Sequence, residues 1–216
     1  MSEKRIHISD NRRPMKVANP IDKAILARIK AHDAAWVFTA SDFLDLGARD
    51  AVDKALSRMA AARKIRRVAR GLYDVPRQHP IVGTTVPDVD KVVKAVASKV
   101  GARVQPSGAY AANLLGLSDQ VPAKVVFLTD RRSKQVRLGN LNIRFKQASP
   151  RTMATAGRIS GLVIQALRYM GRTHADDYVA RLRRTLSADD KKQLLKDLAY
   201  APAWIADIMR RLATTD

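Results

Sequence analysis

The stretch from Trp36 to Pro76 changes its apolar period along its length, and that change leaves few folds open. It reads WVFTASDFLDLGARDAVDKALSRMAAARKIRRVARGLYDVP. The apolar run from Trp36 to Thr39 predicts a short strand, and Ser41 is placed to cap a short helix with Asp42 in its first turn. Gly47 breaks that helix and allows a tight turn. From roughly Arg49 to Ala62, the residues Val52, Ala55, Leu56 and Met59 recur at helical spacing. The period then falls to two: Ile65, Val68 and Tyr73 to Val75 are apolar, with Arg66, Arg67 and Arg70 charged. Gly71 sits at the reversal of a β-hairpin, and a turn at Ala69-Arg70 fits the same letters. Strand, helix, turn, helix and basic hairpin is the order of a winged helix-turn-helix, which predicts DNA binding.

The flanks extend that reading. Asn19 is a plausible N-cap and Pro20 a first-turn residue. Ile21, Ala24, Ile25 and Ile29 then share one face of a helix ending near His32-Asp33. The winged unit is thus expected over residues 20–78. Residues 1–19 carry Lys4, Arg5, Arg12, Arg13 and Lys16 with little apolar content, which reads as a flexible basic tail or as an arm following a DNA groove. Residues 79–87, with two prolines and a glycine, read as a linker.

Residues 88–216 carry an α+β pattern that ends in helices. A helix is expected from Val89 to Val100, a short strand at Arg103 to Gln105, and a helix from Ala109 to Leu115 capped by Ser107. KVVFLT (Lys124 to Thr129) is a strong strand, and Gln135 to Leu138, Gly139-Asn140 and Leu141 to Lys146 form a hairpin. Helices follow over Ile159 to Tyr169 and Asp176 to Thr185, then from a Ser187 cap towards Leu198 and around Trp204 to Leu212. The fold class expected overall is α+β, an N-terminal winged helix-turn-helix followed by a mixed α+β domain with a terminal helical region.

Charge decides the class of partner. Lys and Arg number 40 against 20 Asp and Glu, a formal net charge of +20 in 216 residues. So basic a chain attracts polyanions, nucleic acid above all. In a helix-turn-helix the second helix offers its outward N-terminal residues to base edges. Here these are Arg49, Lys54, Ser57 and Arg58, with Asp50 and Asp53 either reading cytosine or orienting Arg49 and Lys54. Arg63, Lys64, Arg66, Arg67 and Arg70 follow with no acid among them and are expected to meet the phosphate backbone or the minor groove. A second basic surface is expected from Arg131, Arg132, Lys134, Arg137, Arg144 and Lys146, with Arg151, Arg181, Arg183 and Arg184 as further cations.

Other chemistries find little support. With no cysteine there are no disulfides or thiolate sites, and the histidines (His7, His32, His79, His174) lack ligand spacing, so no metal or cofactor is expected. Asp130 ends the KVVFLT strand where a catalytic carboxylate could sit, yet Arg131, Arg132 and Lys134 surround it and are expected to pair with it. Pro106-Ser107-Gly108 has no paired carboxylates after it, so no catalytic residue is expected. No run of eighteen apolar residues and no signal-peptide core is present, which predicts a cytoplasmic protein without a membrane partner.

The segments SDFLDLGARDAVDKALSRMAAARKIRRVARGLYDVPRQHP, PSGAYAANLLGLSDQVPAKVVFLTD and LGNLNIRFKQAS resemble the AbiEi family, antitoxins of type IV toxin–antitoxin and abortive-infection systems, over roughly residues 20–170. The resemblance implies repression of the protein's own operon through inverted repeats in double-stranded DNA. It also implies neutralisation of an AbiEii-like nucleotidyltransferase toxin, not necessarily in a stable complex. The alternative is a winged nucleic-acid-binding protein whose C-terminal domain is enzymatic, binds RNA or senses a ligand.

Overall fold

The computed structural model describes residues 19–81, 83–120 and 122–214 of the chain, so the expectation for residues 1–18 lies outside the described residues. The first helix, α1 (Pro20–Ala31), starts where Asn19 Oδ1 accepts from Ile21 N at 3.1 Å, and it buries Ile25 and Ile29. After β1 (Val37–Phe38) comes a 3-10 helix, Ala40–Phe43. Its cap is Thr39 and not Ser41: Thr39 Oγ1 accepts from Ser41 N, while Asp42 Oδ2 accepts from Thr39 N at 2.7 Å. Helix α2 (Arg49–Ala61) buries Val52, Ala55, Leu56 and Met59, the stripe expected from its period. Gly47 serves the turn before it by close approach: a Cβ there would stand 3.1 Å from Ile21 Cδ1 of α1.

Strands β2 (Arg66–Ala69) and β3 (Leu72–Asp74) are joined through Arg70-Gly71, with Gly71 at a φ of 71° that favours glycine. The sheet order is β1-β3-β2, all antiparallel, with Val37 opposite Asp74 and Phe38 opposite Tyr73. Alternation gives this small sheet two faces. Phe38 and Tyr73 join Ile25, Phe43, Val52, Leu56 and Ile65 in one core with α1 and α2. Val37 and Leu72 point the other way, into a core built by the second half of the chain. A fully buried side chain of this size is worth about 1.5–3 kcal/mol relative to exposure, so Val37 and Leu72 hold the halves together. The segment at 79–87 contributes to a pair of two-residue strands, β4 (Gln78–His79) and β5 (Gly83–Thr84).

The second half begins with α3 (Val89–Ser98), capped by the Asp88 carboxylate and burying Val92, Val93 and Val96 against the second sheet. That sheet consists of β6 (Val104–Ser107), β7 (Lys124–Thr129), β8 (Lys134–Leu138) and β9 (Leu141–Gln147) in the order β6-β7-β9-β8. The β8–β9 hairpin is as expected, while β9 also runs parallel to β7, with Phe127 opposite Phe145. Helix α4 (Gly108–Leu114) follows β6, but Ser107 does not cap it; its hydroxyl donates to Gln165 Oε1 at 3.2 Å. The Tyr110 hydroxyl of the same segment donates to Asp90 at 2.9 Å, and burial together with that bond pushes its pKa above the ordinary tyrosine range.

A short α5 (Pro150–Met153) leads to α6 (Ile159–Met170), α7 (Ala175–Thr185), α8 (Ala188–Lys196) and α9 (Ala203–Ala213), which pack with α4 in a third core. Ser187 caps α8 as expected, and Asp190 completes a capping box with it. The buried Asp197 ties α6 to α8, accepting from Arg158 Nη1 at 2.5 Å, from Gln193 Nε2 at 2.8 Å and from the Ser160 hydroxyl. The chain is α+β, and among the described residues no helix is long and apolar enough to cross a membrane.

Candidate nucleic-acid interface

Helix α2 turns Arg49, Asp50, Asp53, Lys54, Ser57 and Arg58 to solvent, opposite its buried stripe. Two of its arginines are engaged within the protein. Arg49 Nε donates to Asp53 Oδ2 at 2.9 Å, one turn along the helix, so Asp53 orients Arg49 and leaves Lys54 alone. Arg58 Nη2 donates to Asp22 Oδ1 at 2.6 Å, bracing α2 against the first turn of α1. The side chains of Lys54 and Ser57 are exposed and make no hydrogen bond or ion pair among the described residues.

Helix α2 ends in a Schellman motif: Arg63 N donates to Ala60 O and Lys64 N to Met59 O, both at 3.0 Å. The motif requires a left-handed residue, and here that residue is Arg63 at φ 55°, alone in this region among the described non-glycine residues. Arg63 and Lys64 are exposed. The hairpin divides its arginines by strand alternation. Arg66 faces the second half and is bound bidentately to Asp74, at 2.9 and 2.5 Å. That geometry commits its guanidinium to an ion pair within the protein. Arg67, opposite Tyr73, belongs to the face packed on α2 and reaches solvent at the sheet edge, as does Arg70 at the turn. Lys54, Arg63, Lys64, Arg67 and Arg70 therefore form an exposed set with no acidic partner among the described residues.

The family described as "Family of unknown function (DUF6088)" matches residues 24–194. The chain belongs to the DUF6088 family. Its matched span runs from α1 into α8 and so takes in both sheets. No curated protein matches the chain.

The residues expected to form a second basic surface of this DUF6088 chain lie on the edge strand β8, on β9 beside it and in the loop before β8. Lys134 stands 5.3 Å from the centre of the Phe145 ring, Arg137 Nε donates to Gly139 O at 3.3 Å, and Arg131 Nη2 donates to Gly101 O at 3.2 Å. Arg132 and Lys146 are exposed, and Arg144 is half-buried opposite Gln135. Asp130 is claimed by Arg103, whose backbone and Nε donate at 3.0 and 3.1 Å, and not by the expected Arg131, Arg132 or Lys134. Burial works against the charge of Asp130, yet the Arg103 bonds prevail and hold its carboxyl below the usual range. Among the further cations, Arg151 Nη2 donates to Ala199 O at 2.8 Å and Arg183 Nη2 to Arg211 O at 2.9 Å, both tying helices together.

Strand β8 sits beside β2, so Arg70 and Arg137 line a single cleft together with Lys99 and Lys134. Sequence reasoning missed Lys99 and its helix neighbours Lys91 and Lys94. The signal was there: Lys91 and Lys94 alternate with the buried Val92, Val93 and Val96 of α3, and Lys99 caps its C-terminal end.

Proposed function

We propose that the chain is a cytoplasmic, double-stranded-DNA-binding transcriptional repressor whose residues 20–78 form a winged helix-turn-helix. It serves as the antitoxin of a type IV toxin–antitoxin pair, directed at an AbiEii-like nucleotidyltransferase. The order of helix, strand, 3-10 helix, helix and hairpin supports the winged reading, as does the common core under α1, α2 and the hairpin. The observation that carries DNA binding is the imbalance on α2 and the hairpin. Five exposed cations (Lys54, Arg63, Lys64, Arg67 and Arg70) have no acidic partner among the described residues, while Asp53, Asp22 and Asp74 are each committed to another arginine. Asp50 remains in the first turn of α2, where the helix dipole favours a negative charge.

Arg49 and Lys54 read bases from the first turns of α2, Arg49 held in place by Asp53, and Ser57 follows one turn later. Arg63, Lys64, Arg67 and Arg70 meet phosphates. If each of these four cations neutralises one phosphate, the logarithm of the affinity falls against the logarithm of salt with a slope of about −3.6. Fluorescence anisotropy on DNA from upstream of the gene, with a scrambled duplex as control, tests this. Equal affinity for the two duplexes, or a slope shallower than about −2, would remove the repressor reading. The antitoxin role is tested by co-expression with the nucleotidyltransferase toxin: growth rescued by the full chain supports it, and unrelieved toxicity sinks it.

A further inference from the structure

A cleft of about 490 Å³ opens where the hairpin turn, the C-terminal end of α3 and β8 meet. Leu72, Val96 and Val136 give it an apolar floor, and Arg70, Lys99, Lys134 and Arg137 stand around it. Not one of its ten lining residues is acidic. The Lys99 ammonium lies so near the turn that a Cβ on Gly71 would be 2.8 Å from it. Burial, then the charge of Lys99, holds Lys134 below the usual lysine range, so these two ammonium groups act on each other with no carboxylate between them. Four like charges around one cavity call for a counter-anion. The larger cleft between α3 and the segment from His32 to Asp42, about 620 Å³, does not: its Lys91, Lys94 and Lys99 face Asp33 and Asp42, and Asp33 is bonded to Lys91.

We propose that the cleft at the hairpin turn binds the polyphosphate group of a nucleoside di- or triphosphate, held between Arg70 of the hairpin and Lys99, Lys134 and Arg137 of the second half. Charge matching selects this ligand class. A di- or triphosphate brings about three to four negative charges to four cations, whereas a phosphate of a DNA backbone brings one. The volume falls within the range of small-molecule pockets, and the apolar floor gives the sugar and base a surface to cover. The outward face of α2 takes no part in the cleft, and of the cations proposed to meet DNA only Arg70 is shared with it.

Isothermal titration calorimetry on the full chain tests it with inorganic pyrophosphate, ATP and adenosine. Pyrophosphate and ATP should each bind one to one, with no heat from adenosine. Lys99→Gln, Lys134→Gln and Arg70→Ala should each weaken binding at least about tenfold, with Lys192→Gln unchanged. Arg70 lies at an exposed turn, so its variant reports on the cleft even if loss of the Lys134 contact with Phe145 disturbs folding. Absence of binding by both phosphate probes overturns the proposal, as does equal weakening in Lys192→Gln, which would signal diffuse attraction. Loss of double-stranded DNA binding in the same variants without any pyrophosphate binding would assign the four cations to the DNA surface instead.

Discussion

Arg66 and Asp74 face each other across β2 and β3, the guanidinium donating twice to a carboxylate that is only 5% exposed. The pair lies on the face turned to the second half and braces the hairpin, although Arg66 belongs to a run of arginines that reads as a DNA contact. Arg66→Ala leaves a buried carboxylate without its partner. The expected cost is about 2–3 kcal/mol, or about 5–10 °C in melting temperature for a chain of this size. Thermal denaturation measures the loss. DNA affinity of the folded protein and its salt slope should stay at wild-type values, and a shallower slope would return Arg66 to the interface.

Arg67, one position on, is exposed and without an acidic partner among the described residues, so its substitution separates the two roles. Arg67→Ala should weaken binding to cognate and scrambled DNA alike and reduce the salt slope by about one. Its melting temperature should stay within about 1–2 °C of wild type, since surface changes of this kind stay within about 0.5 kcal/mol. A selective loss on the cognate duplex alone would make Arg67 a base reader.

The left-handed conformation of Arg63 costs about 1 kcal/mol that glycine would not incur. Arg63→Gly keeps the Schellman hydrogen bonds and should raise stability by up to about 1 kcal/mol, less the extra chain entropy of glycine. The same change removes one of the proposed phosphate contacts and should weaken DNA binding severalfold. Chemical denaturation paired with anisotropy checks both signs at once. A variant more stable and equally tight would show that the strain at this position serves no contact.

Local chemistry was readable from the letters, and spatial pairing was not. Asn19-Pro20, Ser187 with Asp190, and Gly139-Asn140 mark their caps and turn through interactions within a few residues, and the elements fall where those signals lie. The fates of Arg49, Arg58 and Arg66 differ because their partners sit 4, 36 and 8 positions away. Only the first of these spacings has a helical signature. The parallel pairing of β7 with β9 was hidden for the same reason: the β8–β9 hairpin explains the alternation by itself, and nothing local says which edge β7 joins. Val37 and Leu72 look like interior residues of a small domain, and only the fold shows that they serve a different core from Phe38 and Tyr73.

Arg28 holds the turn after the 3-10 helix, donating to both oxygens of Asp45 at 2.6 and 2.5 Å and to Asp42 O at 2.8 Å. The Arg28 hydrogen bonds hold the Asp45 carboxyl below the usual carboxylate range, against a small opposing effect of burial. A carboxylate depressed in the folded state adds stability that is present above its unfolded pKa of about 3.9 and fades as pH falls through the folded value. Wild type should therefore be more stable than Asp45→Asn at neutral pH, with the gap closing below about pH 4. Denaturant unfolding across that range measures the gap, and a constant difference would show that the bond acts without its charge.

Gly161 sets how closely α6 approaches the segment before it. A Cβ at this position would fall 2.3 Å from Thr155 O and 2.6 Å from Gln105 Oε1, and the first of these is backbone that cannot swing aside. Gln105 Oε1 also accepts from Gly157 N at 3.1 Å, so the displaced side chain would give up that bond as well. Gly161→Ala is accordingly expected at the upper end of overpacking costs, about 3 kcal/mol, despite the gain in helix propensity that alanine normally brings. A melting temperature at or above wild type would mean that α6 can shift outward freely. The site lies far along the chain from α2, so DNA affinity per folded molecule should not change, which distinguishes a packing defect here from the loss of a contact in Arg67→Ala.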